Sequence, residues 1–448
     1  MRKLPFVALL LAVLTVPAFS HAAGLTNVFS FTEETKIKGL FTEVNGELYF
    51  ACEKGGAMNF GYIGKFNPAS NTLTALQPFL VETKVKGGLT RYTSNELLFV
   101  CEKGGAANFG FVGTFNLVDN SITRLHEFPA ETKPKTAPIQ LGTNDGWFFY
   151  TDKGGTANLG SLARFQPGAG VSVAASFTLD TGIKFDALPL LWSNQVYYAA
   201  REGGDTNQLA GKGAGAIGTI DLATGTVTKL VNLNAANHGA KIKSLIPFNG
   251  LLHFTADEGG DLTENTGKGW GALGYFNPAD NSVTRYFVCD DVTTGRKPRG
   301  LVPVGDRLYF NCGEGGPNTF GTFGCVTNGT NVTIVGVNTE TIGAKTDAGI
   351  TRFGRFIYFV TELGTPNFLG GISAYELPDG LEPAQPPALT IARVGNSLQL
   401  SWPQSASAFV LERCDALTSA SWTIIAGPGV NTATVLLDGS AGLFRLRR

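Results

Sequence analysis

Charge, cysteine, histidine and long apolar runs are all sparse in this sequence. Only 16% of the 448 residues are charged, and Lys+Arg 35 nearly balances Asp+Glu 36. That excludes a coiled coil and leaves no net field to gather nucleic acid or an anionic membrane. A 43% hydrophobic content in turn excludes a disordered chain. The cysteines (52, 101, 289, 312, 325 and 414) lie far apart, with no CxxC and no Cys/His cluster. No zinc site or dense disulfide scaffold is implied, although Cys312 and Cys325 form a candidate bridge. Past residue 20 the histidines are His21, His126, His238 and His253, and none sits near a nucleophile motif. Gly-x-Ser-x-Gly, His-Glu-x-x-His and EF-hand patterns are absent, so no catalytic residue, metal or cofactor is assigned.

What the chain does have is 58 Gly and 32 Phe, a bias towards short strands and tight turns. Arg2 and Lys3 precede an apolar run from Leu4 to Val16 and small residues up to Ala23. This reads as a signal peptide over residues 1–22, and the mature protein is expected to be secreted, periplasmic or on the cell surface, without a membrane span.

Self-similarity sets the architecture. Glu53-Lys54-Gly55-Gly56-Ala57-Met58-Asn59-Phe60-Gly61 returns from Glu102 to Gly110 and from Asp152 to Gly160. Weaker copies start at Arg201, Asp257, Gly313 and Glu362, making seven. An apolar run such as Leu97 to Cys101 precedes the glycines, and two further strand-like segments come after them, as in Gly61 to Phe66 and Thr72 to Leu76. Four strands per unit of about 50 residues point to an all-β, seven-bladed β-propeller over residues 24–377. The seventh unit ends after its third strand, Gly371 to Leu377. A surplus strand, Leu25 to Phe31, matches the fourth strand of the other units. The N-terminal strand is therefore expected to close the ring, which removes exposed sheet edges.

With Gly55-Gly56, Phe66, Leu76 and Phe79 in these positions, the repeat resembles the GloVer-type tandem repeats of secreted bacterial proteins. The resemblance implies a propeller outside the cytoplasm and no defined catalytic activity. Kelch repeats also carry a glycine pair after the second strand, but their later Tyr and Trp are missing here.

Residues 378–388 form a proline-rich linker. Residues 389–448 alternate as short strands, predicting a small C-terminal β-sandwich. From Leu400-Ser401-Trp402-Pro403 and Phe444 to Arg448 this module resembles fibronectin type III-like terminal domains. Trp402 and Trp422 read as core residues.

Two rings of charge should meet on one face of the propeller. The loops after the second strands carry acids. The connections before the first strands carry bases, including Lys36 and Lys38, Lys84 and Lys86, Lys133 and Lys135, and Lys241 and Lys243. Their repetition suggests pairing that pins the loops. Symmetry breaks where units four and five each gain six residues, both ending in Gly-Lys-Gly-x-Gly. Asp205, Asn207, Lys212, Asp261, Glu264, Lys268 and Trp270 are the candidate ligand-binding residues there. Their mix of carboxylates, amides, lysines and an indole suits a polar ligand such as a glycan. The sequence thus points to a secreted binding or interaction module for an extracellular polysaccharide or protein, with no nucleic-acid partner. The alternative is a glycan-processing hydrolase or lyase using carboxylates such as Glu202, Glu258, Asp205 and Asp261 on the same face.

Overall fold

The computed structural model describes residues 24–142, 146–364, 367–378, 389–395, 397–402, 410–414, 423–426, 431–436 and 443–447. The leader, most of the linker and Trp422 lie outside them. The chain divides into two compact units, residues 1–381 and 382–448. The described secondary structure is strand apart from two single-turn 3-10 segments. Among the described residues no helix is long and apolar enough to cross a membrane.

In the larger unit, residues 25–376 build seven antiparallel sheets in sequence order. Sheet one, for example, runs Thr42–Val44, Glu47–Ala51, Tyr62–Asn67 and Thr72–Pro78. Among the described residues sheet three has three strands, Trp147–Thr151, Ser161–Gln166 and Gly170–Ser176. Its innermost segment is reduced to isolated bridges, Pro134 to Thr151 and Ile139 to Phe148. Sheet seven joins Ile350–Phe353, Phe356–Thr361 and Gly371–Glu376 to the N-terminal strand Leu25–Ser30, with Leu25 opposite Tyr375 and Ser30 opposite Gly371.

The second strands are buried on both faces because they lie between neighbours within the sheet and between sheets on either side. Each sheet packs on the next through its own apolar cluster. Tyr49 and Ile63 of sheet one meet Leu97 and Phe99 of sheet two. Ala199 and Ile217 of sheet four meet Ile242 and Phe254 of sheet five. The series returns to its start where Tyr358 and Ile372 of sheet seven pack on Phe50 and Phe66 of sheet one, with Phe31 of the N-terminal segment among them.

One glycine position shows how tightly the repeat is packed. Gly64, Gly113, Gly218, Gly274 and Gly324 sit beside a ring from the second strand, each next to a bulge in the third-to-fourth strand pairing. A Cβ on Gly324 would lie 2.2 Å from Cζ of Phe310. The missing side chain is the space the aromatic occupies.

The described residues of the smaller unit form two three-stranded sheets. One orders Thr390–Val394, Ser397–Ser401 and Thr432–Leu436; the other places Val410–Cys414 between Thr423–Ala426 and Leu443–Arg447. Trp402 is buried with Leu400 and Leu411.

Candidate functional site

The loops after the second strands are built by their own side chains. In the first three copies the two glycines take positive φ, and Asn59, Asn108 and Asn158 do the same at 53°, 57° and 53°. Each Asn Oδ1 accepts a hydrogen bond from the first glycine N–H, at 3.1, 3.0 and 2.9 Å. The asparagine thus replaces a backbone acceptor in a turn that few residues can enter.

The enlarged loops of units four and five share one conformation. Leu209–Gly211 and Asn265–Gly267 each form a 3-10 turn with a left-handed residue inside, Ala210 and Thr266. The carbonyls of Lys212 and Lys268 accept from Gly203 and Gly259 at 2.7 and 2.6 Å. Asp205 Oδ1 accepts from the Asn207 N–H, and Asp261 Oδ1 accepts from Thr263. Both loops bond to the same connection: Ala235 donates to Gln208, and its carbonyl accepts from Gly260. They are therefore neighbours. Asn207, Lys212, Asp261, Glu264 and Lys268 are exposed. Trp270 is half-buried in the cluster between sheets five and six, and the Arg296 guanidinium lies 5.0 Å from its ring centroid. Asp205 and Asp261 thus serve turns, and Arg296 occupies one face of the indole.

A cavity of about 650 Å³ opens where the connections leading into the seven sheets converge. Segments 38–42, 86–90, 135–139, 186–188, 243–246, 297–301 and 347–350 contribute to its wall, so every sheet takes part. None of the seven loop residues above lines it. Leu89, Ala137, Leu245, Leu301 and Ile350 supply an apolar collar. Charged groups complete the wall: Lys38, Lys86, Lys135, Arg201, Lys243, Lys297 and Arg299, with Asp186, Asp257 and Asp347.

These charges obey a rule. The basic residue two places after the outer lysine (Lys38, Lys86, Lys135, Lys243 or Arg299) faces the cavity, and an acid at or near the end of a second strand pairs with it. Lys86 reaches Glu53 at 2.7 Å and Glu102 at 3.9 Å, and Lys135 reaches Asp152 at 3.0 Å. Unit four reverses both positions, so Asp186 takes the basic place, Arg201 the acidic one, and the pair survives at 3.0 Å. Unit seven also carries an acid, Asp347, which bonds to Lys38 and Arg299 at 2.8 and 3.2 Å. The result is a chain of alternating charge: Lys38, Asp347, Arg299, Asp257, Lys243, Asp186 and Arg201.

The outer lysines obey a parallel rule. Lys36, Lys84 and Lys133 pair with Glu34, Glu82 and Glu131 two residues earlier. Lys184, Lys241 and Lys297 instead meet Glu202, Glu258 and Glu314, where the first three units have lysine.

Burial and neighbouring charge compete in the wall. Burial pushes the Asp347 carboxyl up, but Arg299 and Lys38 outweigh it and hold it at about 2. Asp186 is likewise lowered, since Lys243 and Arg201 overcome its burial. Asp152 goes the other way: burial raises it beyond what Lys135 offsets, and the Asp186 charge adds to the rise. Its Oδ1 is buried without a hydrogen-bond partner. Cys312 and Cys325, the candidate bridge, are buried thiols without a disulfide. Cys312 Sγ instead lies 4.0 Å from Cys289 Sγ. Among the described residues no group of three His, Cys, Asp or Glu side chains could hold a metal ion.

The sequence held a signal for this wall in the paired substitution of unit four, Asp186 for a base and Arg201 for an acid. No sequence pattern indicates the cavity's depth or Arg296 over Trp270.

No protein-family model matches the chain, and no curated protein matches it. Solved structures do. A puromycin hydrolase is 12% identical, with TM-score 0.52, covering 84% of this chain and 59% of that one. This chain therefore spans less than two thirds of the hydrolase. An oligogalacturonate lyase from Vibrio parahaemolyticus is 9% identical with TM-score 0.48, covering 80% and 94%. A GH74 enzyme from Niastella koreensis is 11% identical with TM-score 0.47, covering 92% and 69%. At such identities likeness speaks of the fold alone. Together with the antiparallel sheets, the likeness to the hydrolase shows that the chain has a β-propeller fold.

Proposed function

We propose that this protein is a seven-bladed β-propeller, closed by its N-terminal strand and followed by a sandwich module, that binds a ligand in the axial cavity. We take residues 1–22 as a leader, so the ligand is met outside the cytoplasm, as a polysaccharide or protein group. The observation that carries the binding reading is the cavity itself: seven sheets contribute to it, and its wall combines an apolar collar with convergent charged groups. The enlarged loops of units four and five would then frame a rim, while the seat lies inside.

A glycan array and a thermal-shift panel on the mature protein test this. Binding lost in Leu40→Trp, which puts an indole into the cavity, and retained in Trp270→Ala supports the cavity. The reverse pattern moves the site to the loops.

One observation favours a second reading, a glycan-processing hydrolase or lyase. Asp186 lines the cavity and Asp152 pairs with the wall lysine Lys135. Burial raises the Asp152 carboxyl while Lys243 and Arg201 lower that of Asp186, a divergence of the kind an acid–base pair uses. Product release from polysaccharides that falls sharply in Asp152→Asn supports it, and unchanged release removes Asp152 from any catalytic role.

A further inference from the structure

Building on the cavity reading, we propose that the site takes a compact organic polyanion, bearing carboxylate, sulfate or phosphate groups, and that Lys86 and Lys135 are its main contacts. The wall is polarised. Units one to three contribute only cations to it, Lys38, Lys86 and Lys135, whereas its three carboxylates come from units four, five and seven. The acids that neutralise Lys86 and Lys135 (Glu53, Glu102 and Asp152) do not line the wall and are less exposed than the lysines they hold. Glu53 and Asp152 side chains are 10% and 18% exposed, against 26% and 28% for Lys86 and Lys135.

An ammonium group has three donors, so a carboxylate behind it leaves others for an anion in front. The acid behind also holds the lysine in place, which reduces the ordering cost of binding. Where units one to three form the wall it presents one sign of charge, and such a semi-enclosed surface concentrates counter-ions. The collar formed by Leu89, Ala137 and Ile139 beside these lysines suits a ligand with a hydrocarbon or sugar-ring body rather than a bare inorganic anion.

The test uses the trisulfonated dye pyranine as reporter on the full mature chain, at low and high salt. Trigalacturonate, sucrose octasulfate, inositol hexakisphosphate and neutral maltotriose serve as competitors, so the arms separate the sources of the anion. Acetylation followed by mass spectrometry then maps which lysines each compound protects in the wild type. At least one anion should displace the dye and protect Lys86 and Lys135, but not Lys212 or Lys268. Lys86→Gln and Lys135→Gln should each weaken binding roughly tenfold or more, the range for a charge-assisted hydrogen bond. Lys65→Gln, which removes an outer pair with Glu47, should leave it unchanged.

Equal protection of Lys86 and Lys135 by maltotriose would overturn the anionic class while leaving the cavity as the site. Protection of Lys212 and Lys268 instead would overturn the cavity itself. Protection by no compound would overturn the proposal, and because it is read on the wild type, it does not depend on any variant folding.

Discussion

His253 offers a sharp test of how this propeller stores its stability. It lies in the second strand of sheet five, fully buried, with ring centroids 5.7, 5.6 and 5.7 Å from Phe248, Tyr275 and Tyr286. Nδ1 is 3.3 Å from the Tyr286 hydroxyl, and Nε2 has no partner. Burial lowers its pKa from 6.5 to about 4. The folded value is below the unfolded one, so the neutral ring's contribution is complete above pH 6.5 and is lost as pH falls towards 4. By linkage the full loss is about 3 kcal/mol, of which about 2.5 has gone by pH 4.5. For roughly 350 cooperatively melting residues that is about 3 °C in Tm. The experiment compares wild type with His253→Phe, which fills a similar space and binds no proton, by thermal melts at pH 7.5 and 4.5. Wild type should lose about 3 °C more than the variant. Equal losses, or an imidazole that titrates near 6.5 in the folded protein by NMR, would refute the reasoning.

Arg299→Met takes a cation away from Asp257 and Asp347 in a largely buried network. It should destabilise by about 3–5 kcal/mol, as broken buried pairs do, measured by denaturant unfolding. Asp186→Lys alone should destabilise through repulsion from Arg201 and Lys243, and adding Arg201→Glu should recover at least half the loss, by re-creating the polarity of the first three units; a double-mutant cycle measures the coupling. Gly324→Ala should cost about 1–3 kcal/mol from the contact with Phe310, read from the denaturation midpoint.

The period of the glycine pairs made the all-β propeller legible, because glycines at positive φ and two-face-buried strands recur together. The complementary truncation of the last repeat likewise pointed to the pairing of Leu25–Ser30 with Gly371–Glu376. What was less legible is direction. Lys84 and Lys86 look equivalent in sequence, yet one pairs with Glu82 and the other enters the cavity wall, since Lys84 takes a left-handed φ of 50° and breaks the alternation that would otherwise put residues two apart on the same side. Trp270 resembled a free stacking platform because its neighbour in space, Arg296, is 26 positions away.

The closing strand also constrains how the molecule is made. Asn27 and Ser373 are paired partners at opposite ends of the larger unit. During synthesis the first strand must therefore wait, without its mate, until nearly all the rest has emerged. Completion of the circle is a late, non-local event of the kind that slows folding and leaves an open edge for other chains to find.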